Sequence, residues 1–233
     1  MIRQVICALD TSNVDEAIGT VKKLSGHVGA FKVGHALTLP NGLSVISRLR
    51  DAGASRIFLD LKFHDIPNSV ALAVREAARH GVWMMTLHIA GGPSMMTAAV
   101  EETRCYNEDE RPLLVGVSVL TSLDQNILTN DLAVDRTIEE HMVHLSKLAL
   151  ECDMDGVVCS PQEVKALRTA FGHKGVIVTP GIRLSQGDTH DQKRTGDAGQ
   201  ALADGADYLV VGRALTHSQD IEKTLEQFRT VVG

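Results

Sequence analysis

The chain lacks any closely spaced pair of cysteines. Its four cysteines stand far apart and form no C-x-x-C motif: Cys7, Cys105, Cys152 and Cys159. Zinc sites need grouped thiolates, and the disulfide frames of small secreted proteins need many cysteines in a short chain. We therefore expect four ordinary reduced core cysteines, no metal site and a cytoplasmic protein.

Long blocks of one charge are also absent. The 23 basic and 29 acidic residues give a net charge of −6 and are interspersed along the chain. A nucleic-acid or anionic-membrane partner would favour a concentrated basic surface. The charge pattern argues against both partners and favours a small molecule.

The chain has no apolar run long enough for a signal-peptide core or a membrane span. The run at residues 5–9 stops at Asp10, and residues 81–100 are interrupted by His88 and by Gly91-Gly92-Pro93. A spanning helix needs about 20 predominantly apolar residues. We therefore expect no targeting or spanning segment. Internal repeats and low-complexity stretches are lacking as well.

What the sequence does contain is a regular alternation of β-type and helical apolar patterns. With 233 residues and 44% hydrophobic content it can build one sizeable core, so we predict one domain over residues 1–233. The β-type segments are residues 5–10, 30–35, 56–62, 83–90, 113–120, 156–160, 175–180 and 208–212. Helical patterns follow them at residues 14–24, 43–52, 70–80, 95–104, 137–151, 161–171, 197–204 and 221–231. Eight such units predict an α/β fold, the (β/α)₈ TIM barrel, whose active sites lie at the carboxyl ends of the strands.

The third β-type segment ends in charged residues. Residues 58–67 read Phe-Leu-Asp-Leu-Lys-Phe-His-Asp-Ile-Pro, and alternation along an extended strand places Asp60 and Lys62 on one face. For an isolated D-x-K pattern the simplest interpretation is a structural salt bridge, because a buried charge needs a partner.

Lys32 and Asp65 add a second charge of each sign near the same strand ends, and Asp10 ends the first segment. Four alternating charges can all stay ionised, since each has an opposite neighbour. At the catalytic rim of a barrel we favour an active site over a purely structural cluster. Such a site suits chemistry that creates or removes negative charge.

Glycines after the seventh and eighth segments fit a phosphate site. Gly181 and Gly212 stand where barrels of this class often bind phosphate, beside the amino terminus of a short helix. Arg213 can donate two parallel hydrogen bonds to phosphate oxygens, although a surface arginine is the alternative for Gly-Arg alone.

The connection at residues 182–196 is polar and longer than most connections in compact domains, which predicts a mobile lid that contains Gln192. For Lys193 and Arg194 in the same connection we expect a solvated face.

Residues 60–69, Asp-Leu-Lys-Phe-His-Asp-Ile-Pro-Asn-Ser, resemble the D-x-K-x-x-D-I-P-x-T signature of the orotidine 5′-monophosphate decarboxylase family. Ser69 stands where threonine is usual and keeps the hydroxyl group. The similarity extends over nearly the full chain, at Asp10, Lys32, Thr121, Pro180, Arg183, Gln192, Gly212 and Arg213. It implies a cofactor-free barrel enzyme that converts orotidine 5′-monophosphate to uridine 5′-monophosphate in de novo pyrimidine biosynthesis.

The resemblance also implies roles for single residues. The catalytic set would be Lys32, Asp60, Lys62 and Asp65, with Lys62 protonating a carbanion at pyrimidine C6. The substrate contacts would be Asp10, Lys32, Asp60, Ile66, Ser69, Thr121, Pro180, Arg183, Gln192, Gly212 and Arg213. A homodimer is implied as well, in which Asp65, Ile66 and Ser69 reach the neighbouring subunit's substrate.

Two other functions fit parts of the pattern. A magnesium-dependent decarboxylase of a sugar-acid phosphate would share the D-x-K-x-x-D strand, but the continuation Ile66-Pro67 disfavours it. A barrel that binds a phosphate ligand without chemistry would not need every charged member of the set.

Overall fold

The strands of the computed structural model close into a barrel, and the residues that it describes are 1–183, 194 and 196–232. Within that part of the chain, eight parallel strands form the barrel: β1 (Ile2–Ala8), β2 (Val28–Gly34), β3 (Ile57–Phe63), β4 (Met84–His88), β5 (Leu113–Val117), β6 (Gly156–Val158), β7 (Val176–Thr179) and β10 (Tyr208–Val211). Each barrel strand pairs with the next barrel strand in chain order, with β7 pairing to β10, and β10 closes the barrel onto β1. The predicted (β/α)₈ barrel is confirmed.

Helices cover the outside of the barrel because each presents one apolar stripe to the strands. Their bounds are α1 (Val14–Leu24), α2 (His35–Asn41), α3 (Val45–Asp51), α4 (Pro67–Arg79), α5 (Pro93–Thr103), α6 (Ile138–Glu151), α7 (Val164–Phe171), α8 (Ala198–Ala203), α9 (Arg213–Thr216) and α10 (Ile221–Val232). A further pair of short parallel strands, β8 (Ile182–Arg183) and β9 (Gly196–Asp197), lies beside the barrel sheet. Among the described residues, no helix is both long and apolar enough to cross a membrane.

Alternation along the strands divides the core into two layers. A small inner cluster fills the barrel with one or two side chains from most strands: Ile6, Ala8, Ala30, Phe58, Met84, Val115, Val178 and Val210. The larger outer cluster joins the opposite strand faces to the helices. Both layers consist of buried apolar side chains, which enclose the strands on their inner and outer faces.

Several predicted segments run past the observed strand ends. β1 ends at Ala8, so Asp10 lies two residues beyond the strand instead of ending it. The short helix α2 was not predicted, and residues 161–171 divide into a 3₁₀ turn at Pro161–Glu163 followed by α7. These differences place more of the polar residues in the loops above the barrel rim.

The amino-terminal ends of the strands are tied by two arginine–aspartate pairs. Asp155, just before β6, pairs with Arg111 and accepts the backbone N–H of Leu114 in β5 at 2.8 Å. Asp207, just before β10, accepts from Arg168 at 2.6 Å and from the N–H of Ile177 in β7 at 2.7 Å. Each carboxylate therefore links neighbouring strands at the end of the barrel opposite the predicted site.

Candidate active site

Four charged side chains form a continuous line at the carboxyl ends of β1, β2 and β3. Lys32 Nζ lies 3.0 Å from Asp10 Oδ1 and 3.5 Å from Asp60 Oδ2. Asp60 Oδ1 in turn lies 2.8 Å from Lys62 Nζ. The signs alternate along this line, which we call the rim network: Asp10, Lys32, Asp60 and Lys62.

Strand register brings these residues together. Lys32 in β2 pairs with Ala8 at the end of β1, and Asp60 in β3 pairs with Gly34 at the end of β2. Parallel neighbours present their carboxyl ends at the same edge, so the charged groups converge on one point of the rim.

Pairing keeps the two central groups, Lys32 and Asp60, ionised although their side chains are only 13% and 12% exposed. Burial opposes the charged form of Asp60, but the ammonium groups of Lys32 and Lys62 outweigh it, and the pKa of Asp60 is lowered. Burial likewise opposes the charged form of Lys32, but the carboxylates of Asp60 and Asp10 raise its pKa. The network therefore holds one fixed negative charge between two positive ones.

The backbone at Lys62 departs from the extended strand that the sequence predicted. Its φ is +48°, a left-handed conformation that non-glycine residues seldom adopt. The β3–β4 register shifts at the same place, between the pairs Leu59–Met85 and Phe63–Leu87. The two side chains meet as expected, but a bulge, and not simple alternation, brings Lys62 to Asp60.

Thr86 of β4 fills the gap that this bulge opens. Its hydroxyl Oγ1 accepts from the backbone N–H of Lys62 at 2.9 Å and donates to Asp60 Oδ1 at 2.9 Å. The side chain is 1% exposed. The sequence offered little signal for this residue, since one threonine inside an apolar run is typical of an ordinary strand.

Asp65 does not join the rim network within the described residues of a single chain. Its Oδ1 accepts the backbone N–H of Ile66 at 2.6 Å, and the side chain is exposed. Ile66 is 67% exposed at the start of α4, and Ser69 is half-buried. In place of Asp65, Asp10 supplies the second negative charge beside Lys32.

An open cavity of about 550 Å³ connects Lys62 with this exposed segment. Its polar lining consists of His35, Lys62, His64, Asp65, Ser69 and His88. Burial is the main cause that lowers the pKa of His88, and the charges of the nearby His64 and Lys62 lower it further. The His88 ring is therefore neutral near pH 7. In the part of the chain that the structure describes, no three His, Cys, Asp or Glu side chains gather in a way that could hold a metal ion.

The loops that follow β7 and β10 each carry a glycine and continue the rim next to β1. Pro180 and Gly181 follow β7, and Gly181 has a φ of +79°. Gly212 follows β10, and Arg213 begins the four-residue helix α9. A Cβ atom built on Gly212 would lie 3.6 Å from Asp10 Oδ2, so this loop approaches the rim network closely.

The described side chains do not include those of Gln192 and Arg183, two of the predicted substrate contacts. Gln192 lies outside the described residues, as does Lys193. Arg183 is described by its backbone, which pairs with Asp197 across β8 and β9.

Arg194 is buried, so the prediction of a solvated face at this residue is wrong. Its guanidinium pairs with the buried Glu163 and donates to the carbonyl oxygens of Val119 and Leu120, at 3.1 and 2.9 Å. These two carbonyls immediately precede Thr121, which is half-buried above β5. Arg194 thereby fixes the loop that carries this predicted contact.

The cysteines are free thiols, and burial raises the pKa of Cys7 and of Cys159 to about 12. Neither thiol forms a thiolate near neutral pH, so these two cysteines are ordinary core residues as expected. Cys105 is exposed, so the expectation of a core position is wrong for that residue.

Comparison with known proteins bears directly on this arrangement. The sequence model of the family described as "Orotidine 5'-phosphate decarboxylase / HUMPS family" matches residues 3–228, nearly the whole chain. The chain belongs to the orotidine 5′-phosphate decarboxylase / HUMPS family. The family suggested by residues 60–69 is therefore confirmed.

Individual members of this family resemble the chain over most of its length. A protein of Syntrophotalea carbinolica named orotidine 5'-phosphate decarboxylase is 46% identical over 221 residues, which cover 94% of this chain and 90% of that protein. One of the same name from Syntrophomonas wolfei is 43% identical over 92% of this chain and 91% of its own length. The crystal structure of orotidine 5'-phosphate decarboxylase from Lactobacillus acidophilus superposes with a TM-score of 0.84 at 32% identity, covering 99% of each chain.

Proposed function

We propose that this protein converts orotidine 5′-monophosphate to uridine 5′-monophosphate and carbon dioxide, as a cytoplasmic, cofactor-free step of de novo pyrimidine biosynthesis. The observation that carries the proposal is the rim network, in which Lys62 and Asp60 meet at 2.8 Å at the carboxyl end of β3. Family membership and relatives that bear the decarboxylase name support the same activity. Residues 1–233 act as one catalytic domain.

The proposed chemistry centres on C6 of the pyrimidine. The C6–carboxylate bond breaks, its electron pair stays on C6 as a carbanion, and carbon dioxide departs. Lys62 stabilises the carbanion and then donates a proton from its ammonium group to form the C6–H bond. The resulting neutral amine regains a proton from solvent, so no oxidant, reductant or metal enters the balance.

Asp60 lies beside the departing carboxylate in this scheme, and the repulsion between the two negative groups is relieved as carbon dioxide leaves. One close charge pair at an effective dielectric near 20 contributes about 4 kcal/mol, whereas enzymes commonly lower barriers by about 8–23 kcal/mol. Repulsion alone is therefore too small. Carbanion stabilisation by Lys62 and binding energy from the rest of the nucleotide supply the remainder.

The rest of the nucleotide binds across the rim. Gly212 and Arg213 after β10, with Pro180 after β7, hold the phosphate, and Arg183 and Gln192 complete that end. Lys32 and Asp10, at one end of the rim network, contact the ribose. Thr121 contacts the base. The close approach of Gly212 to Asp10 supports this arrangement, because it joins the phosphate end of the site to the charged end.

The active form is a homodimer with shared sites. Asp65, Ile66 and Ser69 serve the substrate of the neighbouring subunit, while Asp60 and Lys62 serve their own. The large exposed fraction of Ile66 and the separation of Asp65 from the rim network of its own chain support this assignment. Mixed Lys62→Ala and Asp65→Ala chains should regain activity in heterodimers, whereas heterodimers that form without regaining it would contradict shared sites.

The activity is tested by adding orotidine 5′-monophosphate to metal-stripped protein while pyrimidine absorbance and released carbon dioxide are followed. We expect equal amounts of uridine 5′-monophosphate and carbon dioxide, with no requirement for added magnesium. Turnover that appears only with magnesium, or binding without turnover, would contradict the proposal.

A further inference from the structure

The polar side chain of Thr86 is an anomaly in the inner layer of the barrel. Alternation along β4 places Thr86 on the same face as Met84, a member of the inner cluster. A hydroxyl buried in such a place is costly unless it is hydrogen-bonded. Both of its hydrogen-bonding functions are used, and both partners belong to the catalytic segment of β3.

The direction of these bonds follows from chemistry. A carboxylate can only accept and a backbone N–H can only donate, so the Thr86 hydroxyl must give its proton to Asp60 and receive the N–H of Lys62. Asp60 Oδ1 accepts from the Thr86 hydroxyl and from Lys62 Nζ at once, at 2.9 and 2.8 Å. One hydroxyl thus fixes both the carboxylate and the backbone that carries the ammonium group.

The backbone at Lys62 needs such support. The register shift leaves Asp60, Leu61 and Lys62 opposite Thr86 alone, and the left-handed φ of Lys62 is unfavourable for a residue with a Cβ atom. The Thr86 hydroxyl accepts the Lys62 N–H at this irregular point of the β3–β4 pairing.

We propose that Thr86 is a positioning residue for the decarboxylation, which holds the Asp60 carboxylate and the Lys62 ammonium in their reactive relation through its hydroxyl group. The inference rests on the proposed function. It adds to the rim network a residue whose hydroxyl bonds to Asp60 and to the backbone of Lys62, and which acts through these two residues.

Thr86→Val keeps the shape of the side chain and removes both hydrogen bonds. We expect kcat to fall about 10- to 100-fold, because small misplacements of reacting groups cost up to about 100-fold. KM should change less than about threefold, since the phosphate-binding loops are untouched. Thr86→Ser restores the hydroxyl and should bring kcat back to within about threefold of wild type.

The pH profile separates positioning from a general loss of structure. Without the hydrogen bond from Thr86, the pKa of Asp60 should rise, because that bond favours the ionised carboxylate. The acidic limb of the kcat profile should therefore move to higher pH in Thr86→Val and return in Thr86→Ser. Thr103→Val is the matched control: Thr103 is also fully buried, but its hydroxyl bonds the Val100 carbonyl in α5 at 2.8 Å.

A titration without substrate keeps this inference distinct from the proposed function. The carboxyl ¹³C signal of Asp60, assigned with Asp60→Asn, should titrate at higher pH in Thr86→Val than in wild type or Thr103→Val.

If wild type does not decarboxylate orotidine 5′-monophosphate, the proposed function fails whatever the titration shows. If wild type is active and Thr86→Val matches it in kcat and in the Asp60 titration, the role of Thr86 is overturned. Thr86→Ala carries the same expectations should Thr86→Val not fold.

Discussion

Carboxylates at the two ends of the barrel bind their partners differently. At the amino-terminal end, Asp155 and Asp207 each accept a backbone N–H from a neighbouring strand as well as an arginine. At the carboxyl-terminal end, Asp60 accepts from Lys32, Lys62 and Thr86, and within the described residues its partners are all side chains. Asp155 and Asp207 are therefore tied to the backbone of the strands. Asp60 is held by side chains alone within the described residues, and a substrate could bind to those side chains as well.

This difference suits the two ends of the barrel to different tasks: the amino-terminal carboxylates stabilise the fold, and Asp60 is available for the proposed chemistry. Both nitrogens of the Arg111 fork bind Asp155, whereas at Asp207 a single Arg168 nitrogen and the Ile177 N–H bind the same oxygen. In each pair the arginine and the backbone N–H together hold the carboxylate in a fixed geometry. A lysine is a point charge on a flexible stem, and it can exchange one anionic partner for another. The charged residues that hold the barrel together and those that we propose to act on substrate therefore differ in the partners that they bind.

After the loss of Lys62 itself, the largest expected effect follows from replacing Asp60, the negative charge between Lys32 and Lys62 in the rim network. Asp60→Asn should lower kcat about 100- to 1000-fold, the loss typical of removing one preorganised electrostatic group. Steady-state kinetics with orotidine 5′-monophosphate measure it, with Asp51→Asn, an exposed aspartate on α3, as the control. Retention of full kcat in Asp60→Asn would contradict a chemical role for the carboxylate at the carboxyl-terminal end of the barrel.

The opposite pattern is expected at the base of the barrel. Asp155→Ala leaves the Leu114 N–H and Arg111 without their partner, so the free energy of unfolding should fall by about 2–3 kcal/mol. Chemical denaturation measures this loss, and kcat at 25 °C should stay within about twofold of wild type. A large loss of kcat in folded Asp155→Ala would show that the base of the barrel also serves the chemistry.

Stability should depend on pH through Asp60. Its pKa in the folded protein lies below the ordinary value of 3.8, so the stabilisation is fully present above pH 4 and is lost as pH falls through the folded pKa. Wild type should therefore be more stable than Asp60→Asn near pH 7, and the difference should shrink in acid. Denaturation curves between pH 2 and 7 test the sign, and a difference that grows toward acid would contradict it.

The smallest effect concerns the strained backbone of Lys62. At its φ of +48°, glycine avoids the Cβ clash, so Lys62→Gly should be about 0.5–1 kcal/mol more stable than Lys62→Ala. At Arg3, an exposed position in β1, the order should reverse, because glycine ordinarily weakens a strand. The same order at both positions would mean that Lys62 carries no strain.

The sequence predicted the barrel well because β-type and helical apolar patterns alternate along the whole chain. It placed Asp60 and Lys62 together through strand alternation, although the contact depends on a bulge that no local pattern announces. Asp10 was placed at the end of β1 and identified as a substrate contact, but its pairing with Lys32 depends on the register between β1 and β2. Register is a property of the closed sheet and cannot be counted from one strand.

Two other residues show where sequence patterns stop being informative. Thr86 looks like any strand threonine until β3 is folded against it. Arg194 sits in a polar stretch and was expected in solvent, but its partners Glu163 and Val119 are 31 and 75 positions away in the sequence, respectively. Polar residues buried by distant partners cannot be recognised from hydrophobic periodicity.

The most direct test of the division between the two ends is kcat of Lys62→Ala, measured beside its free energy of unfolding. We expect a loss in kcat of at least about a thousandfold, because the variant lacks both the proton donor and the charge that stabilises the carbanion. The free energy of unfolding should fall by no more than about 2 kcal/mol, since the side chain is partly exposed. Turnover within a few-fold of wild type would contradict the assignment of Lys62 and of the rim network to the chemistry.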